Sequence, residues 1–117
     1  MLAAFEKLEL VVATDLVETD VCRHADYVLP VCSSLERSEL KGYGGGLLTC
    51  TTPAIQPLYE SKCDPEILCD LARYLDLDDE LMKSGYEETM RYMISNLSVT
   101  LEELREAPLP VKVKELR

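Results

Sequence analysis

The sequence has no tryptophan, a single phenylalanine and a single histidine, and only 12 of its 117 residues are lysine or arginine. Binding to a phosphate backbone needs clustered basic residues, and no such run stands against the 22 acidic residues, so nucleic acid is not an expected partner. A catalytic serine or cysteine needs a positioned base. The lone His24 lies on a predicted short helix, where a structural or solvated role is the default.

Long apolar runs are also missing, since none approaches the roughly 20 residues that a membrane-spanning helix needs. The segment 1–7 has neither the basic region nor the apolar core of a signal peptide and is typical of the tail of an amphipathic helix. The cysteines form no C-x-x-C pair, which gives no support to a zinc or iron–sulfur site. Their odd, scattered count predicts reduced, buried or half-buried thiols at positions 22, 32, 50, 63 and 69.

What is present suits one folded domain. Hydrophobic residues make up 47% of the chain, enough for a real core at this length. The net charge of −10 favours solubility and says little about the fold. Paired carboxylates such as 78–79 and 102–103 lie on presumed surface helices, where they are typical of solvated faces.

The chain is organised around residues 8–36. An apolar run at 8–13 predicts a strand that stops at Thr14 and Asp15, the polar segment 18–24 predicts a short helix, and a second strand begins at Tyr27. In a parallel sheet, ligands are met just past the carboxyl ends of the strands. Thr14, Asp15 and the loop 33–37 are therefore the candidate site.

Four glycines fall within residues 42–46 and mark the strongest break in the chain. A phosphate-binding loop is one interpretation, but such loops lead into a helix, whereas residues 47–52 are strand-like. The spacing also matches neither G-x-G-x-x-G nor a P-loop. The segment therefore predicts a flexible turn or the tip of a hairpin.

Helices are predicted for most of the remaining chain. Asp64 is a good N-cap residue and Pro65 suits the first helical position, ahead of an apolar stripe over 67–75. Further helices are predicted over 78–83, ended by Gly85, over 86–97, and from Thr100, whose capping box uses Glu103. Met90, Met93, Ile94 and Leu97 are expected on one core-facing side. The tail 111–117 alternates in polarity without a visible partner.

Several of these segments together resemble a known family. They are the run 11–15 with Thr19 and Asp20, the stretch Ala-Asp-Tyr-Val-Leu-Pro at 25–30, Leu-Glu-Arg at 35–37, and residues 54–57 and 60–68. The pattern resembles the molybdopterin oxidoreductases of the dimethyl sulfoxide reductase type, which include periplasmic nitrate reductases and formate dehydrogenases. The resemblance covers about residues 8–76, in matching order and spacing.

The resemblance implies an α/β fold, part of a Rossmann-like dinucleotide-binding domain with a short parallel sheet and a helical C-terminal segment. Residues 1–76 would form part of the binding region for molybdopterin guanine dinucleotide, and residues 77–117 a helical extension of the same domain. The matching positions for cofactor contact are Thr14, Asp15, Arg37 and Asp64. A carboxylate can accept two parallel hydrogen bonds from guanine, and Arg37 can pair with a phosphate. The loop after Glu36 departs from the family pattern, which puts its contacts in doubt.

The resemblance further implies that the chain is a fragment of a larger oxidoreductase of anaerobic respiration type, which holds molybdenum or tungsten. The family's cysteine cluster, its metal-ligating residue and its C-terminal domain have no counterpart here. The isolated chain is expected to be inactive, to carry no bound cofactor, and to self-associate through surfaces that the remainder of the parent enzyme would cover. The alternative is a non-catalytic, acidic α/β module that docks on a partner protein.

Overall fold

The computed structural model describes residues 2–114 of the chain. It consists of short strands and helices joined by loops. In chain order they are α1 (Leu2–Phe5), β1 (Val12–Asp15), a 3-10 helix (Cys22–His24), β2 (Tyr27–Pro30), β3 (Glu39–Tyr43), β4 (Leu47–Thr51), α2 (Asp64–Tyr74), α3 (Glu80–Ser84), α4 (Tyr86–Met93), α5 (Leu101–Glu106) and β5 (Val111–Lys112). The expected mixture of a short parallel sheet and a helical C-terminal part is confirmed.

Strands β1 and β2 pair in parallel, with Val12 opposite Tyr27 and Asp15 opposite Pro30. The predicted strand–short helix–strand order is therefore confirmed. The first strand begins later than the apolar run 8–13 predicts, because β2 lies opposite only the last part of that run. As a result Thr14 and Asp15 are the final residues of β1 itself.

The glycine-rich segment forms the tip of an antiparallel hairpin between β3 and β4, as predicted. Gly45 and Gly46 have φ angles of 79° and 74°, which residues with a side chain rarely adopt. The described part of the predicted tail does have a partner, because β5 pairs antiparallel with β4 and places Val111 opposite Leu48. Residues 115–117 of that tail lie outside the described residues.

The main core lies where α4 and α5 cover this antiparallel sheet. Its buried members are Leu48, Cys50, Met90, Ile94, Leu101 and Leu104. Met90 is buried and Leu97 packs against the core, as predicted, but Met93 is 59% exposed. On the helical wheel Met93 sits at the edge of the stripe that Met90 and Ile94 define, so its prediction as a core residue was wrong.

All five cysteines are buried, as predicted, and none of them is in a disulfide in this structure. Gly85 ends α3 with a φ of 103°, and Thr100 caps α5 in a capping box with Glu103, both as predicted. Over residues 2–114 the helices are all too short or too polar to cross a membrane.

Candidate functional site

The end of β1 and the start of α2 meet at one edge of the parallel sheet. The Thr14 hydroxyl donates a hydrogen bond to Asp64 Oδ1 at 3.2 Å, between residues 50 positions apart in the chain. The contact forms because Thr14 is the penultimate residue of β1 and Asp64 is the first residue of α2. The fold therefore brings together two of the four residues that the sequence predicts for the site.

Asp64 does not cap α2, and that prediction was wrong. The N-cap residue is Cys63, whose N–H donates to Glu66 Oε2 at 3.2 Å while its sulfur faces the Glu66 N–H, completing a capping box. In an ordinary capping box the cap is a serine or threonine, and a Glu or Gln three residues later accepts its N–H. Here the cap is a cysteine, and Glu66 plays the same part. The side chain of Asp64 is thereby left to project toward β1, and it is 51% exposed.

Arg37 is the third predicted residue at this edge. Its Nη1 lies 3.7 Å from Asp64 Oδ2 and its Nη2 lies 3.6 Å from Glu39 Oε2, distances at the long end for ion pairs. Within residues 2–114, the buried Nε of Arg37 has no hydrogen-bond partner. A buried donor without an acceptor costs free energy, so the hydrogen-bonding demand of this guanidinium is not met by the described residues.

Asp15, the fourth predicted residue, is half-buried at the tip of β1. Its Oδ1 accepts the Leu16 N–H at 2.8 Å and its Oδ2 accepts the Thr19 hydroxyl at 3.1 Å. Successive side chains of a strand point to opposite faces, so Asp15 projects away from the Thr14–Asp64 contact. Asp15 thus lies at the same strand end as the other three residues but on the other face of the strand.

Glu36 lies in the predicted site loop 33–37, and the structure gives it a specific role in holding the site together. It is 6% exposed, and its carboxylate accepts the Ser33 N–H at 2.9 Å and the Leu58 N–H at 2.8 Å. Hydrogen bonds from Ser33, and next from the Leu58 amide, lower the pKa of Glu36. The carboxylate thereby joins the loop before Arg37 to the segment before α2. Apart from its place in that loop, the only sign in the sequence that Glu36 matters was the run 35–37, which resembles the family pattern.

A cavity of about 200 Å³ adjoins Arg37. Its lining includes Cys63, Tyr86 and Met90 as well as the acidic residues Glu36 and Glu66. Burial raises the pKa of the Tyr86 phenol, so this group stays a neutral donor at physiological pH. The only histidine, His24, is exposed at the end of the 3-10 helix, and it lies outside this group of residues.

Comparison with known proteins identifies the relatives of this chain. The sequence model of a family described as molybdopterin oxidoreductase matches residues 1–74. A trimethylamine-N-oxide reductase of Vibrio cholerae is 39% identical over 91 aligned positions, which cover 75% of this chain and 11% of the relative. A dimethyl sulfoxide/trimethylamine N-oxide reductase of Cereibacter sphaeroides is 37% identical over 78 positions, covering 64% and 10%.

A third relative, named "Probable oxidoreductase YyaE", from Bacillus subtilis, extends the match over nearly the whole sequence. It is 34% identical over 124 aligned positions, which cover 93% of this chain and 17% of the relative. The chain therefore spans between about a tenth and a sixth of the length of these curated relatives.

Proposed function

The chain belongs to the molybdopterin oxidoreductase family, and we propose that it supplies part of a binding site for molybdopterin guanine dinucleotide within a larger oxidoreductase. The first of these relatives, a trimethylamine-N-oxide reductase, is about nine times longer than the matched segment, since that segment covers 11% of it. By itself the chain is then inactive. Its residues hold the nucleotide end of the cofactor, whereas the cofactor's metal, molybdenum or tungsten, supplies the redox chemistry of the intact enzyme.

One observation carries the proposal: Thr14, Arg37 and Asp64, which lie far apart in the sequence, meet at the carboxyl end of β1. The Thr14–Asp64 hydrogen bond of 3.2 Å and the Arg37–Asp64 ion pair of 3.7 Å join a strand end, a loop and the first turn of a helix. Strand ends of parallel sheets and helix N-termini are the places where α/β folds bind nucleotides.

The donors present at this edge suit a phosphate. Over the described residues 2–114, Arg37 keeps a buried Nε without a partner, and its two other nitrogens make only long ion pairs. A phosphate oxygen beside the partly exposed guanidinium would gain a charge-assisted hydrogen bond. The carboxylates of Asp64 and Glu39 repel a phosphate dianion, which limits how many phosphate groups this edge can hold. We therefore assign a single phosphate contact to Arg37. Asp64 does not contact the phosphate but orients the Arg37 side chain.

The acceptors at the strand tip suit guanine. Each carboxylate oxygen of Asp15 holds one intramolecular partner, from the Leu16 N–H and the Thr19 hydroxyl, and each keeps a second lone pair. Those two contacts fix the orientation of the carboxylate before a ligand arrives. The guanine N1–H and N2–H groups present two parallel donors that match such a carboxylate. We assign the base contact to Asp15, so that the nucleotide crosses the tip of β1 from Arg37 on one face to Asp15 on the other.

The parallel pair of β1 and β2 exposes apolar side chains, which supports the inference that the two strands belong to a larger sheet. Val12, Tyr27 and Val28 are 48%, 64% and 48% exposed, although parallel strands are normally covered on both faces. We infer that β1 and β2 form part of a Rossmann-like sheet, completed by the remainder of the parent enzyme.

Titration of the chain with guanosine diphosphate, followed by its thermal unfolding midpoint, tests the proposal. We expect the midpoint to rise with nucleotide up to about 10 mM, because a partial pocket binds weakly. Asp15→Ala removes the rise for guanosine diphosphate, and Arg37→Ala reduces it. Adenosine diphosphate, which lacks the two parallel donors, gives a smaller rise with the wild-type chain.

Asp20→Ala serves as the matched control, because this side chain is 92% exposed and lies on the same loop as Thr19. The control should keep the full response. An equal response from wild type, Asp15→Ala and Asp20→Ala would overturn the assignment of the base contact. No response to either nucleotide by the wild type would favour the acidic protein-interaction module.

A further inference from the structure

Two cysteines lie side by side where the chain passes from β2 toward the site. Val31 and Lys62 form an isolated parallel bridge, and the Cys32 N–H donates to the Lys62 carbonyl at 3.0 Å. The next residues along the two segments are Cys32 and Cys63. Their side chains therefore project to the same side of this bridge, as neighbouring residues on paired strands do.

The spacing of paired strands suits a covalent link. Paired strands lie about 4.7–4.9 Å apart, and disulfides join residues whose Cα atoms are about 4.4–6.8 Å apart. Both thiols face the interior, with 4% exposure for Cys32 and 2% for Cys63. Burial raises the pKa of the Cys63 thiol, and the neighbouring Cys32 adds to the rise.

We propose that Cys32 and Cys63 form a reversible disulfide under oxidising conditions. The proposal rests on the register of the two segments and the burial of both side chains, and it holds whether or not the chain binds a nucleotide. The other three cysteines are positioned differently: Cys22 belongs to the 3-10 helix, Cys50 to strand β4 in the hydrophobic core, and Cys69 to the middle of α2.

The reaction is a thiol–disulfide exchange with a small disulfide such as oxidised glutathione. One protein thiolate attacks the reagent and releases a first reduced thiol, and the second protein thiolate then displaces the other. Two protein thiols thus lose two electrons and two protons, and one reagent disulfide becomes two thiols. Burial raises the pKa of the Cys63 thiol to about 12, so little thiolate is present at neutral pH and the exchange is expected to take hours.

The disulfide would join two segments of the candidate site covalently. Cys32 immediately precedes the loop that carries Glu36 and Arg37, and Cys63 immediately precedes Asp64. At present these segments are joined by hydrogen bonds, including one of 3.6 Å from the Cys32 thiol to the Ser61 hydroxyl. A disulfide would keep them together in the unfolded chain as well, which raises the unfolding temperature.

The test is native oxidation of the full chain with oxidised glutathione, followed by alkylation of free thiols, tryptic digestion and mass spectrometry. Trypsin places Cys32 in the peptide 24–37 and Cys63 in the peptide 63–73, which also contains Cys69. We expect these two peptides to be linked, free thiols to fall from 5 to 3 per chain, and the midpoint to rise by at least about 5 °C. Dithiothreitol should reverse all three changes.

Two serine variants make the result decisive. Cys69→Ser should still form the link, which assigns it to Cys63, whereas Cys63→Ser should not. Because Cys63→Ser retains a helix cap, it should stay folded and show only glutathione adducts. Retention of five free thiols after prolonged oxidation, or linkage through Cys69 in preference to Cys63, would overturn the proposal.

Discussion

Arg105 donates two parallel hydrogen bonds to the carboxylate of Glu87, from Nη1 to Oε1 at 2.8 Å and from Nη2 to Oε2 at 2.7 Å. The pair joins α5 to the first turn of α4 across 18 residues of sequence. The hydrogen bonds from Arg105 lower the pKa of Glu87. The planar fork of arginine matches a carboxylate in this way, and a lysine in its place would make a single contact.

Replacing Arg105 should therefore weaken the packing of α5. Arg105→Ala is expected to lower the free energy of unfolding by about 1 kcal/mol, the upper end for ion pairs near a surface. Arg105→Lys should recover only part of the loss. Urea denaturation of Arg105→Ala, Glu87→Ala and the double variant gives the coupling between the two residues.

A control for the Arg105 experiment is Arg23→Ala, since Arg23 is 63% exposed and pairs with two exposed carboxylates. Its effect should stay within about 0.5 kcal/mol. Additive single effects of Arg105→Ala and Glu87→Ala would show that the observed pair contributes nothing.

Leu104 tests whether the C-terminal helices and the hairpin unfold together. It is fully buried, with 0% exposure, in the core that α4 and α5 form over β4. Leu104→Ala should lower the free energy of unfolding by about 2–5 kcal/mol, a large part of the stability of a domain this size. Urea denaturation should show one transition shifted as a whole, consistent with residues 77–117 extending the same domain.

The matched control for Leu104 is Leu109→Ala, because Leu109 is 74% exposed. Its denaturation curve should overlay that of the wild type. Two separate transitions, with only one moved by Leu104→Ala, would mean that the C-terminal helices form an independent unit.

The lowered pKa of Glu36 predicts how the stability of the fold depends on pH. Its folded-state pKa is lowered, so ionised Glu36 stabilises the fold above its ordinary pKa of 4.5, and this contribution disappears as the pH falls through the lower folded-state value. Glu36→Gln should lower the urea midpoint at pH 7, since an amide cannot accept both the Ser33 and Leu58 N–H groups equally well. The difference from wild type should shrink as the pH falls below about 4.5. A difference that stays constant from pH 7 to pH 3 would contradict this reasoning.

The uncovered parallel pair predicts self-association of the isolated chain. Val12 and Tyr27 are cross-strand neighbours on one face of the pair, 48% and 64% exposed. Light scattering should give a mass above that of a monomer, and Tyr27→Lys should reduce it, because a charge on that face opposes burial. Tyr59→Lys, on a fully exposed loop side chain, should leave the mass unchanged. A monomeric wild type at high protein concentration would rule the prediction out.

Local signals in the sequence were enough for the elements themselves. The glycine-rich break predicted the hairpin tip, Gly85 the end of α3, and Thr100 with Glu103 the start of α5. Each of these depends on backbone conformation or on contacts within one turn, so neighbouring residues determine it. The apolar runs likewise predicted β1 and β2, although their pairing joins residues 15 positions apart.

Contacts between distant segments decided the rest. Local preference favours Asp64 as the cap of α2, yet the Cys63–Glu66 box replaces it because Thr14 and Arg37 are available to Asp64 in the folded chain. The burial of Glu36, the pairing of β5 with β4 and the Arg105–Glu87 bridge likewise join residues that only folding brings together. The sequence by itself determined most of the segments that become strands, helices and turns. The tertiary structure decided which side chains meet, because partners so far apart leave no periodic or local trace in the chain.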